Sequence, residues 1–149
     1  MRELKVSAIR EGTVIDHIPA ENAFKVVDIL DLEGHDNIVS LVTNLPSKKL
    51  GKKGIVKVGG KSLTEAEVNK ISIVAPNATI NIIKDYKVKK KETVKIPEEF
   101  NTVVKCSNPK CITNAEKVKT RFTVESKEPL KVRCHYCERT MKSPNIELL

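Results

Sequence analysis

Four cysteines in the last third of the chain have the clearest chemistry. They form two short-spaced pairs, Cys106 with Cys111 and Cys134 with Cys137, and the sequence has no other cysteine. Two such pairs can bring four thiolates onto one ion, which completes the tetrahedral shell of Zn²⁺. The spacing therefore predicts one Zn²⁺ per chain. Because no coordination position stays open, this metal is expected to be structural rather than catalytic.

Two disulfide bonds are the alternative use of these cysteines. The chain begins with the charged segment Met1-Arg2-Glu3 and shows no apolar secretory leader. Thiol pairs in such a protein favour a metal, because reducing compartments keep thiols free. No apolar run approaches the length of a membrane span. We therefore expect a soluble, cytoplasmic protein with no membrane partner.

The neighbouring residues Asp16 and His17 are a second candidate for chemistry. A histidine beside an acid can form half of a catalytic pair, although a histidine near a strand end is more often an ordinary surface or core residue. The cysteines are assigned to metal, and the sequence has no Gly-x-Ser-x-Gly motif that would supply a nucleophile. We therefore expect no catalytic residues and no enzymatic activity.

Lysines concentrate in two runs of the N-terminal part. The formal charge is +8, and residues 1–97 carry 17 Lys and Arg against 12 Asp and Glu. The runs are compatible with a solvated face, with nucleic-acid binding or with a small polyphosphate site. Nucleic-acid binders interleave stacking aromatics with such charges, whereas here only Tyr86 lies within a run. The runs are Lys48, Lys49, Lys52, Lys53 and Lys57, and Lys84, Lys87, Lys89, Lys90, Lys91 and Lys95.

Hydrophobic periodicity predicts an α+β fold with two domains, residues 1–97 and residues 98–149. From Val14 onward, the order strand, helix, strand, strand, helix, strand is that of a ferredoxin-like domain, an antiparallel sheet with two helices. The predicted strands are 4–9, 14–18, 38–45, 55–58, 78–85 and 87–96. The predicted helices are 20–30, with Ala23, Phe24, Val26, Val27 and Leu30 on its apolar side, and a second that ends near 74, capped by Ser62 and Glu65.

Residues 98–149 are predicted to form a small β domain around the metal, a rubredoxin-like ribbon. A polar link at 98–101 precedes short strands at 103–104, 121–124 and 130–133. The segment holds few large apolar residues, so we expect that it cannot fold without the ion.

Three motifs and the cysteine pattern together resemble the regulatory chain of aspartate carbamoyltransferase. The spacings within the two cysteine pairs, here called the first knuckle (106–111) and the second knuckle (134–137), match that family, as does Asn114-Ala115-Glu116. The resemblance runs nearly from end to end. The motifs are Gly12-Thr13-Val14-Ile15-Asp16-His17-Ile18-Pro19-Ala20, Asn44-Leu45-Pro46-Ser47 followed by Gly51-Lys52-Lys53, and Ala75-Pro76-Asn77-Ala78-Thr79-Ile80-Asn81 ending at Tyr86.

The resemblance implies a non-catalytic, allosteric subunit of pyrimidine biosynthesis. Its N-terminal domain is expected to bind CTP as an inhibitor and ATP as an activator, and its zinc domain to dock on the catalytic chain. Regulatory chains are expected to pair as dimers that link catalytic trimers. The implied nucleotide site has Ala8, Ile9 and Tyr86 at the base, Asp16 and Lys57 at the ribose, His17 and Lys91 at the phosphates with Lys53 and Asn81 close by, and Val14, Ile55, Ile83 and Val88 lining the pocket.

A zinc-ribbon protein that binds nucleic acid in transcription or translation is the alternative. Residues 98–149 carry 10 Lys and Arg against 7 Asp and Glu, and four thiolates with Zn²⁺ lower that net charge to about +1. A ribbon that reads nucleic acid should itself be basic. Nucleic acid is therefore not the favoured partner.

Overall fold

The computed structural model describes residues 9–149, which divide into two compact units. The first unit ends at Val94 and the second spans Lys95–Leu149, so the predicted boundary after residue 97 lies three residues further along. Ala8 and nearly all of the strand predicted at 4–9 lie outside the described residues. Within residues 9–149, no helix is long and apolar enough to cross a membrane.

An antiparallel sheet of five strands and two helices form the first unit. They are β1 (Gly12–Pro19), α1 (Ala23–Leu30), β2 (Val39–Ser47), β3 (Gly51–Gly59), α2 (Glu65–Val74), β4 (Thr79–Lys84) and β5 (Lys87–Thr93). The strand order is β2-β3-β1-β4-β5. Its first four strands have the ferredoxin-like arrangement and β5 extends the edge, which confirms the predicted fold class.

The helices cover one face of this sheet. Ile15 on β1 and Val56 and Val58 on β3 have no exposed surface. They belong to one core cluster with Val26 of α1 and Ile71 of α2. Burial of each side chain of this size contributes about 1.5–3 kcal/mol. Along each strand, side chains alternate between this covered face and the opposite face of the sheet, here called the outer face.

The prediction that Phe24 lies on the apolar side of the first helix is wrong. A 3₁₀ turn at Ala20–Asn22 precedes α1, and the buried residues of α1 are Ala23, Val26 and Leu30. Phe24 is one position away from this stripe, about 100° around the helix, and 67% of its surface is exposed.

The N-cap of α2 is Thr64 rather than the predicted Ser62. Thr64 Oγ1 accepts a hydrogen bond from the Glu67 backbone N–H at 3.2 Å, and Glu67 Oε1 accepts one from the Thr64 N–H at 2.9 Å. This reciprocal pair is a capping box. Ser62 and Thr64 are each followed three residues later by a glutamate, so the sequence pattern fits both positions.

The β2–β3 hairpin extends further into the lysine-rich segment than predicted. Leu45 pairs with Lys53 and Ser47 with Gly51, which leaves residues 48–50 for the turn. The predicted strand 38–45 ends before Pro46, whereas in the structure Pro46 belongs to β2 and lies opposite Lys52. It is tolerated because β2 lies at an edge of the described sheet, where a residue without an N–H can face away from the ladder.

Two small sheets and a short helix form the second unit. Its elements are β6 (Glu99–Asn101), β7 (Val104–Lys105), α3 (Ile112–Ala115), β8 (Arg121–Lys127), β9 (Leu130–Cys134), β10 (Thr140–Lys142) and β11 (Glu147–Leu148). One sheet has the order β10-β9-β8-β6 and the other pairs β11 with β7. The link predicted at 98–101 is wrong in part, because β6 pairs buried Phe100 with buried Phe122 of β8.

Candidate functional site

The four cysteine sulfurs of the second unit lie together, all within 4.8 Å of one another. Cys106 Sγ is 3.6 Å from Cys137 Sγ, and Cys111 Sγ is 3.7 Å from Cys134 Sγ. In a tetrahedral shell with Zn–S bonds of about 2.3 Å, neighbouring sulfurs stand about 3.8 Å apart. The four cysteines, none of which forms a disulfide bond, therefore fit a four-thiolate metal site.

Hydrogen bonds from the residues that follow the first knuckle hold its two cysteine ligands in place. Asn114 Nδ2 donates to the carbonyl of Cys106 at 2.9 Å and to that of Asn108 at 2.8 Å. Thr113 Oγ1 donates to Cys111 Sγ at 3.2 Å. Sequence reasoning gave Asn114 and Thr113 no role of their own. The available signal was their position, within one turn after the ligand Cys111, where polar groups commonly orient a metal ligand.

The free thiols hold their protons unequally. Burial raises the pKa of Cys106 to about 12 and raises the pKa of Cys134 as well. Burial acts in the same direction on Cys137, but hydrogen bonds from the Arg139 backbone N–H and from the Asn108 side chain lower its pKa to about 7. A bound cation would favour the thiolate forms of Cys106 and Cys134 against this effect of burial.

Several of the predicted nucleotide-site residues form one row across the outer face of the first unit. Lys57 lies opposite Val14, Val14 opposite Asn81 and Asn81 opposite Lys91. Residues in register across neighbouring strands present their side chains on the same face. Ile55 precedes Lys57 by two positions and shares that face. Within the row, Asn81 Nδ2 donates to the Val14 carbonyl at 3.3 Å.

Three more predicted residues lie beside this row, toward one end of the strands, where the register between β1 and β3 breaks. Lys53 Nζ lies 2.9 Å and 3.2 Å from the two carboxylate oxygens of Asp16. His17 has a backbone φ of 59°, and its Nδ1 lies 3.0 Å from Thr79 Oγ1. Partial burial alone would raise the pKa of Asp16, but hydrogen bonds from Lys53 and from the His17 N–H hold it below its ordinary value.

The remaining predicted residues lie at the other end of the strands. Val88 pairs with Ile83, and Ile83 pairs with Gly12. Ile9 is buried, whereas Tyr86 is 68% exposed. An open cleft of about 470 Å³ at this end includes Ile9 and Tyr86 in its lining.

Comparison with known proteins identifies the family. Residues 4–95 match the allosteric domain of the aspartate carbamoyltransferase regulatory chain, and residues 98–147 match its metal-binding domain. The chain belongs to this family. Regulatory chains from Pyrococcus abyssi and Pyrococcus horikoshii are 61% and 62% identical over 148 residues, 98% of this chain and 97% of each relative. That of Bacteroides fragilis is 48% identical over 146 residues, 98% of this chain and 95% of the relative.

Membership of the aspartate carbamoyltransferase regulatory chain family confirms the resemblance seen in the sequence. The first unit corresponds to the family's allosteric domain, and the second unit, with its four clustered cysteines, corresponds to the metal-binding domain. A regulatory chain of this enzyme implies a catalytic chain as its partner.

The three consecutive lysines of the allosteric domain, at 89–91, differ in their surroundings. Lys91 lies opposite Asn81 in the row on the outer face, whereas Lys90 pairs with Ile82. Adjacent residues of a strand point to opposite faces, and Lys90 Nζ lies 2.6 Å from Glu92 Oε1. Lys89 falls at an irregularity of the register. Lys91 is thus the member of this run that shares a row with Lys57.

Proposed function

We propose that this chain is a non-catalytic regulatory subunit of aspartate carbamoyltransferase whose outer face binds CTP and ATP. The observation that carries the proposal is the row from Lys57 to Lys91, with His17 and Lys53 beside it toward one end of the strands. Cationic side chains gathered on one face of the sheet suit a triphosphate, which is strongly negative at neutral pH. Lysine and histidine would supply these contacts, because the chain has no glycine-rich phosphate loop.

Each group has a role that its chemistry supports. Asp16 would accept hydrogen bonds from the ribose hydroxyls beside Lys57, and Lys53 already neutralises part of its charge. His17 and Lys91 would contact the phosphates. The base would lie at the opposite end of the strands, and the residues proposed around it and along the pocket are Ala8, Ile9, Tyr86, Val14, Ile55, Asn81, Ile83 and Val88.

Calorimetry on the full-length, metal-loaded chain tests this proposal. Lys57→Ala and Lys91→Ala should each weaken CTP and ATP binding by about tenfold or more, because each removes a charge-assisted contact. Lys90→Ala is the matched control, since Lys90 belongs to the same run but lies outside the row. Salt-sensitive binding of an RNA oligomer without any nucleotide binding would favour the nucleic-acid alternative and overturn the proposal.

We propose Zn²⁺ as the metal and the metal-binding unit as the part that docks on the catalytic chain. Four thiolates at tetrahedral spacing are typical of a structural zinc site, and reduced thiols fit a cytoplasmic location. Cys106, Cys111, Cys134 and Cys137 would hold the ion and thereby the docking surface. Treating the assembled complex with a mercurial or a chelator should release the catalytic trimers. A complex that keeps its gel-filtration volume after verified metal loss would contradict this role.

Regulation through this chain requires a nucleotide to distinguish two quaternary states. A ligand that binds both states equally does not shift the equilibrium between them. The free energy of allosteric coupling between two sites is typically about 1–3 kcal/mol. CTP as an inhibitor and ATP as an activator would therefore prefer opposite states. Aspartate saturation curves of the complex, measured with and without each nucleotide, test the coupling directly.

We further propose that two regulatory chains pair through β2. In the part of the chain that the structure describes, β2 and β5 are the two edges of the sheet. Charged residues are absent from β2, whereas β5 carries Lys87, Lys89, Lys90, Lys91 and Glu92. Uncharged edges invite strand pairing and lysines discourage it. Val42→Lys, but not the control Val88→Lys on β5, should convert a dimer to a monomer in light scattering.

A further inference from the structure

The loop between α1 and β2 brings Asn37, a residue with no role so far, onto the outer face. A Cβ atom built on Gly59 would lie 2.5 Å from Asn37 Oδ1. The absence of a side chain at Gly59 therefore makes room for this carboxamide. Gly59 lies two residues beyond Lys57 on the same strand and presents the same face. Asn37 thus follows Lys57 along the outer face, toward the proposed base end.

Two hydrogen bonds fasten this loop to the end of β3. The Gly59 N–H donates to the Ile38 carbonyl at 2.7 Å, and His35 Nε2 donates to the Gly59 carbonyl at 2.8 Å. Both contacts flank Asn37 in sequence. His35 is therefore a positioning residue for Asn37 rather than part of the ligand site itself.

The orientation of the Asn37 carboxamide follows from its own contacts. The Ile38 N–H donates to Asn37 Oδ1 at 2.8 Å, and Nδ2 lies over Gly60, 2.7 Å from where a Cβ atom on that glycine would stand. Asn37 lines the cleft of about 470 Å³ together with Ile9, Gly60 and Tyr86. Among residues 9–149, none accepts a hydrogen bond from its Nδ2. An amide donor is therefore available where the base is proposed to lie.

We infer that Asn37 is a specificity-determining residue of the nucleotide site, which donates from Nδ2 to the O2 carbonyl of a pyrimidine base. The inference rests on the proposed function, with the base beside Ile9 and Tyr86. Cytosine and uracil carry a carbonyl oxygen at O2, whereas adenine offers only ring nitrogens as acceptors. An amide donor aligned with O2 is thus matched to a pyrimidine, because adenine has no carbonyl oxygen to accept from it.

Calorimetry of the full-length, metal-loaded chain with CTP, UTP and ATP tests this inference. Asn37→Ala should weaken CTP and UTP by about three- to tenfold, the range for one neutral hydrogen bond, and change ATP by less than about twofold. Asn37→Asp keeps the shape but loses the donor, so the CTP-to-ATP affinity ratio should fall although its charge weakens all three nucleotides. Asp36→Ala, an exposed loop neighbour outside the cleft lining, is the matched control and should leave the ratio unchanged.

The outcomes separate this inference from the proposed function. A CTP-to-ATP ratio unchanged in Asn37→Ala, with a wild-type melting temperature, would overturn the inference and leave the nucleotide site standing. A wild-type chain that binds none of the three nucleotides would overturn both. His35→Ala should lower the ratio by a smaller factor, and His35→Gln should restore it, because glutamine can still donate to the Gly59 carbonyl.

Discussion

The two units of this chain position their functional residues in opposite ways. In the metal-binding unit, four ligands come from two short knuckles, and each knuckle supplies its pair through local turns. In the allosteric unit, Lys57, Val14, Asn81 and Lys91 come from four separate strands and share a row only through the register of the sheet. Local spacing is visible in a sequence, whereas the register of a sheet depends on every strand at once.

The same contrast extends to what stabilises each unit. Twelve buried residues, nine of them in strands and helices, form the core cluster of the allosteric unit. The metal-binding unit has a small set of fully buried side chains, which includes Phe100, Phe122 and Val132. Units of this size rarely reach more than about 3–5 kcal/mol from their apolar core alone. We therefore expect the metal to decide whether the second unit folds, and packing to decide the stability of the first.

Loss of a metal ligand is expected to have the largest effect. Cys134→Ser should unfold the metal-binding unit and leave the allosteric unit folded, because structural zinc contributes about 10–16 kcal/mol in zinc-finger peptides. Amide NMR spectra of the full chain would show collapsed dispersion for the metal-binding unit, β6 to β11, and retained dispersion for the allosteric unit. Ser107→Ala, an exposed non-ligand in the first knuckle, is the control. If the amide signals of the metal-binding unit kept their dispersion in a verified metal-free sample, the metal would not be what decides whether this unit folds.

Shortening a side chain in the packed core should have the next largest effect, this time on the allosteric unit. Ile15→Ala is expected to lower the free energy of unfolding of the allosteric unit by about 2–5 kcal/mol through the cavity it leaves. Metal content should stay at wild-type level. Val14→Ala, one position away on the half-buried outer face, should cost about 1 kcal/mol or less. Equal losses from the two variants in urea unfolding would show that the two faces are not distinct.

The helix cap gives a smaller and more local test within the allosteric unit. Thr64→Ala should lower the free energy of unfolding by about 1 kcal/mol, because it leaves the Glu67 N–H without its acceptor. Ser62→Ala should remain within about 0.5 kcal/mol of wild type, as at an ordinary surface position. The reverse ranking in thermal unfolding would mean that the helix begins at the position predicted from the sequence.

The ion pair between Lys53 and Asp16, beside the row, should have the smallest effect, about 1 kcal/mol or less. Asp16 has a folded-state pKa below its ordinary value because the hydrogen bonds from Lys53 and the His17 N–H outweigh the opposing effect of burial. Its stabilising contribution is present above the unfolded-state pKa and is lost as the pH falls through the folded-state pKa. The unfolding free energies of wild type and Asp16→Asn should therefore converge on acidification, and divergence would contradict this assignment.

The sequence by itself determined the cysteine cluster, the family and the order of the elements. The spacing of Cys106, Cys111, Cys134 and Cys137 predicts the cluster that the structure contains, because each pair is held by a local turn. Alternation and helical spacing predict the ferredoxin-like order because one face of each element must be buried. The family motifs predict the nucleotide site residue by residue, and that site remains a prediction.

Tertiary structure alone decided the relations between residues far apart in the chain. It placed Lys91, but not Lys90, in the row on the outer face. It made Thr64 rather than Ser62 the helix cap. It also lengthened the β2–β3 hairpin and brought Asn37 over Gly59. In each case the local sequence pattern fits more than one arrangement. Strand register and loop packing choose among them, because those contacts depend on partners that the local sequence does not contain.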